Sequence, residues 1–127
     1  MPQHYRSNDM GLPFSQAVRA GDTLYVSGQL GNRPGTLILA PGGIEGQTRQ
    51  MMDNVAAILA AHGLSFADVV KCTIMLADMA DWQGFNRVYT GYFEKTRLPA
   101  RAAFGANGLA LGAAVEMDAI AVFPPTA

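Results

Sequence analysis

The sequence predicts a single α+β domain, and three observations carry that prediction. A chain of 127 residues suits one domain, which at this length buries on the order of 70% of its unfolded surface without metal or disulfide staples. The hydrophobic period changes along the chain from two to 3.6 and back, giving the order strand pair, helix, strand, helix, strand pair. No repeat, low-complexity tract or linker divides these pieces, so the domain spans residues 1–127, with 1–12 expected to be a loose N-terminal segment.

Residues 15–19 (SQAVR) and 23–28 (TLYVSG) are short strands joined by Gly21-Asp22, the chemistry of a tight hairpin turn. Turn residues at Gly31-Asn32-Arg33-Pro34-Gly35 and Pro41-Gly42-Gly43 flank one brief apolar run, 36–39, a short strand at most. From Ile44 the period is helical: Ile44, Thr48, Met51, Val55, Ile58 and His62 share a face, Glu45 favours the first turn, and Gly63 supplies a left-handed stop. Residues 68–77 are rich in Val, Ile and Thr and form a buried strand. Asp78 and Asp81 are candidate N-caps for a second helix, whose Trp82, Phe85, Val88, Tyr89, Tyr92 and Phe93 recur at helical spacing before Pro99. An extended segment at 100–105 leads through a Gly-rich connection, 105–113, into the alternating strand 114–123.

The alternation has a consequence for assembly. In the last strand Val115, Met117, Ala119, Ala121 and Phe123 make one face, and Ala114, Glu116, Asp118, Ile120 and Val122 the other. Strand 68–77 sets Val70, Cys72, Ile74 and Leu76 against Val69, Lys71, Thr73 and Met75. Both faces are largely apolar, two helices cover only one, and the cheapest cover for the other is another copy of the chain. A homo-oligomer is therefore expected. Together with a high alanine content, the same feature accounts for a composition that is 50% hydrophobic and only 15% charged, against about 25% charged in ordinary soluble domains.

Composition also excludes function classes. No window approaches the ~18 apolar residues of a spanning helix, and the N-terminus lacks a signal-peptide pattern, so a cytoplasmic location and no membrane role are expected. A net charge of −1 without a Lys/Arg cluster makes a nucleic-acid partner a poor fit. Cys72 is the lone cysteine, and the two distant histidines, His4 and His62, do not build a zinc site with it, so no metal site is expected. Cys72 reads as a small core residue, His62 as a residue that suits the dipole at a helix C-terminus, and His4 as part of a mobile tail.

Glu116 and Asp118 lie together on an otherwise hydrophobic strand, and Arg101 follows Pro99-Ala100. Should 100–105 approach 114–118 across the Gly-rich loop, a guanidinium fork for an anion would stand beside a candidate base. Ser27 has no G-x-S-x-G setting, which argues against a nucleophilic serine, and a mid-helix Asn86 is ordinarily solvated.

Taken together, PFSQAVRAGDTLYVSGQ (13–29), GGIEGQTRQMMDNV (42–55), DVVKCTIMLADMADW (68–82) with Asn86 beyond, PAR (99–101) and VEMDAIAV (115–122) resemble the YjgF/RidA family over nearly the whole chain and in order. The resemblance implies a chorismate-mutase-like α+β subunit, a mixed sheet with two helices on one face, assembled as a homotrimer with ligand sites between neighbouring subunits. It also implies cofactor-independent hydrolysis of 2-imino acids and enamines, such as 2-iminopropanoate and 2-iminobutanoate, to 2-keto acids and ammonia. Arg101 would grip the substrate carboxylate, Glu116 would orient or deprotonate water, and Ser27, Gly28 and Asn86 would line the pocket. Three positions depart from the family pattern: Phe14 stands for a tyrosine, Ala102-Ala103 for Ser-Cys or Ser-Thr, and Ala110 for a proline. Ala103 could still meet the carboxylate through its backbone. The rival readings are a regulatory trimer that binds small carboxylates without turnover and, less favoured, an endoribonuclease.

Overall fold

A computed structural model of the chain describes residues 1–6 and 11–125. Six strands form one mixed sheet: β1 (Gln3–Tyr5), β2 (Ala17–Ala20), β3 (Thr23–Leu30), β4 (Val69–Leu76), β5 (Ala100–Gly105) and β6 (Val115–Val122). Their order is β1-β2-β3-β6-β4-β5, antiparallel throughout except for the parallel β4–β5 pair at one edge. Helices α1 (Gly43–Ala61) and α2 (Trp82–Tyr89) pack on one face.

Local chemistry accounts for these elements. Gly21 at φ 62° closes the β2–β3 hairpin, a conformation that costs glycine little. Helix α1 buries Thr48, Met51, Met52, Val55, Ile58 and Leu59 along one stripe, and Gly63 at φ 73° ends it. Asp78 accepts from the Ala80 N–H at 2.9 Å and fixes the 3₁₀ turn that leads into α2. The core lies between sheet and helices, with Leu24, Met51, Met52, Leu59, Ile74, Leu76, Phe85, Val115 and Met117 fully buried.

Four expectations are corrected. Residues 3–5, expected to be loose, pair with β2, and Tyr5 packs edge-on against His62 at 4.3 Å between ring centroids. His4 therefore sits in a strand rather than a tail, while residues 7–10 of that segment lie outside the described residues. The run 36–39 forms no strand, only a single bridge from Asn32 to Leu39. Helix α2 ends at Tyr89 and passes into a 3₁₀ turn, Thr90–Tyr92.

The fourth correction concerns the faces of β4. Val69 opposes Ala121 and Lys71 opposes Ile120, so Val70 is an extra residue in a bulge. Val69 is consequently buried, and Val70 is 47% exposed on the side away from the helices. Beyond the bulge the alternation holds, and β6 alternates strictly between buried and half-buried positions. The open face carries Val18, Tyr25, Ile120 and Lys71 in one cross-strand row, followed by Thr73 opposite Asp118 and Met75 opposite Glu116. Tyr25 is 48% exposed there, a large aromatic without a cover in the single chain. Among the described residues no helix is long and apolar enough to cross a membrane.

Candidate active site

The expected site residues fall into two groups on opposite faces of the sheet. Arg101 lies on the edge strand β5, opposite Cys72 of β4, and its side chain points to the helix-covered face. Its Nη1 donates to Asn86 Oδ1 at 2.8 Å, so Asn86 is engaged rather than solvated. Asn86 shares the α2 surface with Trp82, Phe85 and Tyr89, whose ring centroids lie 5.1, 5.6 and 4.9 Å from the guanidinium carbon. The spacing i, i+3, i+4, i+7 puts all four on one helix face. Among the described residues the one ion pair is Arg87 with Glu45 at 3.3 Å, so Arg101 has no carboxylate partner there. Ala103 lies two residues farther along β5, half-buried against the core. Beneath the guanidinium, burial pushes the Cys72 thiol up to about 11, which keeps it protonated and unreactive near neutrality. Burial likewise raises the Tyr89 phenol, whose hydroxyl is enclosed without a hydrogen-bond partner.

Glu116 and Asp118 occupy the open face of β6. Partial burial, and then the neighbouring Asp118 charge, raise the Glu116 carboxyl above the ordinary carboxylate range. Opposite them β3 is irregular: Val26 faces Ala119 and Gln29 faces Met117, so Ser27 and Gly28 together oppose Asp118. A Cβ on Gly28 would run into Glu116 Oε2, which explains glycine at this point of the strand. Ser27 Oγ donates to the Ser15 carbonyl at 2.6 Å and ties β3 to the segment that presents Phe14, 46% exposed. Ser27 is thus occupied by backbone.

Within one chain the arrangement differs from the shared pocket that the sequence suggested. Cys72 stands opposite both Arg101 and Ala119, whereas Met75 stands opposite both Phe104 and Glu116. Arg101 and Glu116 are therefore two strands apart, three positions out of register, and on opposite sides of the sheet. The loop between β5 and β6 does not fold one onto the other. A cavity of about 310 Å³ lies elsewhere, lined by Phe66, Tyr92, Phe93 and Arg97 among others, and includes none of the expected residues. The surface beside Arg101 is an open depression on α2 lined by Trp82, Asn86 and Thr90 with Gln83 and Arg87. The role of Trp82, Phe85 and Tyr89 around Arg101 went unread in the sequence, where their spacing signalled helix core.

Fold and site define the class: a single-domain α+β protein with a half-buried arginine at one sheet edge, bonded to an amide and faced by three rings, and a partly buried glutamate on the other sheet face. The chain belongs to the YjgF/RidA family, whose model, described as endoribonuclease L-PSP, matches residues 8–123. It is 45% identical over 113 residues to a 2-iminobutanoate/2-iminopropanoate deaminase of Capra hircus, covering 89% of this chain and 82% of that one. It is 41% identical over 113 residues to the Homo sapiens protein of the same name, with the same coverage. Among solved structures, RidA from the Antarctic bacterium Psychrobacter superposes with a TM-score of 0.87 at 35% identity, over 95% of this chain and 99% of that one. Yeast Mmf1 gives 0.84 at 35% identity, over 95% and 94%.

Proposed function

We propose that the protein hydrolyses small 2-imino acids, with 2-iminopropanoate and 2-iminobutanoate as the substrate class, to 2-keto acids and ammonia. The observation that carries the reading is the state of Arg101. A guanidinium held by one amide and three ring faces, with no carboxylate beside it among the described residues, keeps in-plane N–H donors for a planar carboxylate. Asn86 fixes the fork, and the backbone at Ala103 offers a further contact to the same carboxylate. The names of the deaminase relatives support this substrate class.

Water is the second reactant. Glu116, with its carboxyl raised by burial and by Asp118, is poised to exchange a proton. It removes a proton from water as the oxygen bonds to the imine carbon and the C=N π pair moves to nitrogen. Glu116 returns that proton to the nitrogen, giving the neutral carbinolamine, then carries the hydroxyl proton to the same nitrogen, and ammonia leaves as the C=O forms. Atoms balance as imine plus water giving ketone plus ammonia, and no cofactor enters the sequence. Ser27 and Gly28 shape the backbone under Glu116, and Phe14 supplies an apolar wall.

Because Arg101 and Glu116 face opposite ways, one copy does not present both to one small substrate. A homotrimer whose open sheet faces meet, with each site formed by Arg101 of one copy and Glu116 of the next, supplies both groups and covers Tyr25. The endoribonuclease reading gains little here, since Glu116 and Asp118 side by side on the open face repel a phosphate backbone. The test generates 2-iminobutanoate with an amino-acid oxidase and follows its loss with and without the protein, with mass determined by light scattering. Acceleration at micromolar protein in a trimer is expected. Turnover no faster than in buffer, with 2-oxobutanoate still bound, would replace the enzyme by a carboxylate-binding trimer.

A further inference from the structure

An arginine that must receive an anionic substrate has a physical problem. Partial burial of a guanidinium is unfavourable without compensation, and the usual compensation, a carboxylate partner, would occupy the donors that the substrate needs. Ring faces solve this differently. An aromatic quadrupole stabilises a cation lying over its face and accepts none of the in-plane N–H bonds. Arg101 has three such rings within about 6 Å of the guanidinium, the range in which the attraction is felt.

The three rings are not equivalent. Phe85 is fully buried and Tyr89 nearly so, and they pack on each other at 5.1 Å between centroids, so the core accounts for both. Trp82 is only half-buried, at the first residue of α2, where it lines the open depression beside Asn86. Its indole packs against the core along one side, and the rest of it stands beside Arg101 and the depression. Asp78 and the 3₁₀ turn behind it set the angle at which α2 starts, and with it the approach of the indole to the edge strand.

We infer that Trp82 is a positioning residue for Arg101: its indole face stands in for a counter-ion, holding the guanidinium in place while leaving the fork free for a carboxylate. This deepens the proposed function and rests on its assignment of Arg101 to the substrate carboxylate. The residue acts through Arg101 and touches no reacting atom. Loss of ring electrostatics should therefore weaken carboxylate binding and leave the chemical step nearly unchanged.

The chain contains one tryptophan, so biosynthetic replacement by fluorotryptophans alters position 82 and nothing else. Fluorine changes shape little and drains the ring face of negative potential stepwise. From tryptophan through mono- and difluoro- to tetrafluorotryptophan, KM for 2-iminobutanoate should rise monotonically to about fivefold, with kcat within about twofold and a flat thermal midpoint. Calorimetric Kd for 2-oxobutanoate should climb in parallel. As a genetic counterpart, Trp82→Phe should retain most of the affinity and Trp82→Leu should lose it, at equal melting temperature. A flat KM and Kd across the series, or Trp82→Leu matching Trp82→Phe, overturns the inference. Failure of the unsubstituted protein to consume imine would instead overturn the deaminase reading, and the calorimetric series would still decide what the indole does for Arg101.

Discussion

The helix-covered edge around Arg101 and the open face around Glu116 solve opposite electrostatic problems. At the edge a cation is kept charged and available by groups that carry no charge, namely one amide and three ring faces. On the open face two half-buried carboxylates are set side by side, and burial with the neighbouring charge makes the charged form of Glu116 less comfortable and its proton easier to hold. The first region is built to keep a charge fixed, the second to let one change. A hydrolase acting on an anionic imine needs both, and the sheet keeps them apart within each chain.

The sharpest way to break the comparison is to disable one region per copy. Arg101→Ala alone should lose both carboxylate binding and turnover, and Glu116→Gln alone should lose turnover by roughly 10³-fold while keeping affinity for 2-oxobutanoate. Mixing the two inactive proteins through reversible unfolding gives hybrid rings. If each site draws Arg101 from one copy and Glu116 from its neighbour, an equal mixture should recover about one quarter of the native sites. Both groups acting from one copy would leave the mixture as inactive as its parents. Imine loss under identical oxidase conditions measures the difference.

The next largest effect concerns how Glu116 is seated. Gly28 lies in a bulge where any Cβ would meet the carboxylate oxygen, so Gly28→Ala must push Glu116 aside. We expect kcat to fall on the order of 10²-fold, the size associated with an ångström of misplacement, with 2-oxobutanoate affinity little changed because Arg101 is undisturbed. Equal losses in both would mean that the two regions are mechanically coupled through β6 and β4.

How far the sequence revealed these regions depends on whether patterning or pairing decides the feature. The hairpin, α1, the alternation of β6 and the paired carboxylates are written in period and turn chemistry, and the structure has them all. The bulge at Val70 left no trace because Val69 and Val70 are both valine, so either phase of alternation reads equally well. The bulge at Ser27-Gly28 had a weak signal, a glycine inside a strand pattern. The opposite orientation of Arg101 and Glu116 was invisible for a plainer reason. Segment 100–105 carries alanine at 100, 102 and 103, so side-chain pattern sets no inside or outside, and only the parallel register against Cys72 turns Arg101 toward the helices. Residues 82, 85 and 89 obey the same helical spacing whether they fill a core or brace a cation. The residue resemblance to the family named Arg101, Asn86 and Glu116, and it could not say which face each would occupy.

A smaller effect isolates the proton-holding side. Asp118 raises the Glu116 carboxyl by charge repulsion, the second cause after burial. As the proposed base Glu116 would work ionised, so activity should fall as pH drops through this raised value. Asp118→Asn removes the repulsion, makes ionisation easier and should carry the acid limb of kcat/KM to lower pH, leaving the plateau intact. Burial persists, so the limb should stay above that of a free carboxylate. A limb that does not move would assign the acid-side titration to another group.

The smallest expected effect lies at the rim. Phe14 is 46% exposed in the single chain, and its segment is pinned to β3 by the Ser27–Ser15 hydrogen bond. If Phe14 is a wall of the proposed pocket, Phe14→Tyr adds one hydroxyl donor to a wall that already has its shape. If that wall faces the imine or the attacking water, the new donor should raise kcat/KM up to a few-fold, in line with the modest net value of one hydrogen bond, and leave 2-oxobutanoate affinity within about twofold. If the wall faces the side chain of a larger substrate, the hydroxyl would meet apolar surface and the cost would grow with that side chain. Comparing 2-iminopropanoate with the imine of leucine in both proteins separates the cases, because a polar contact at the reacting end acts on the two substrates alike and an apolar wall does not.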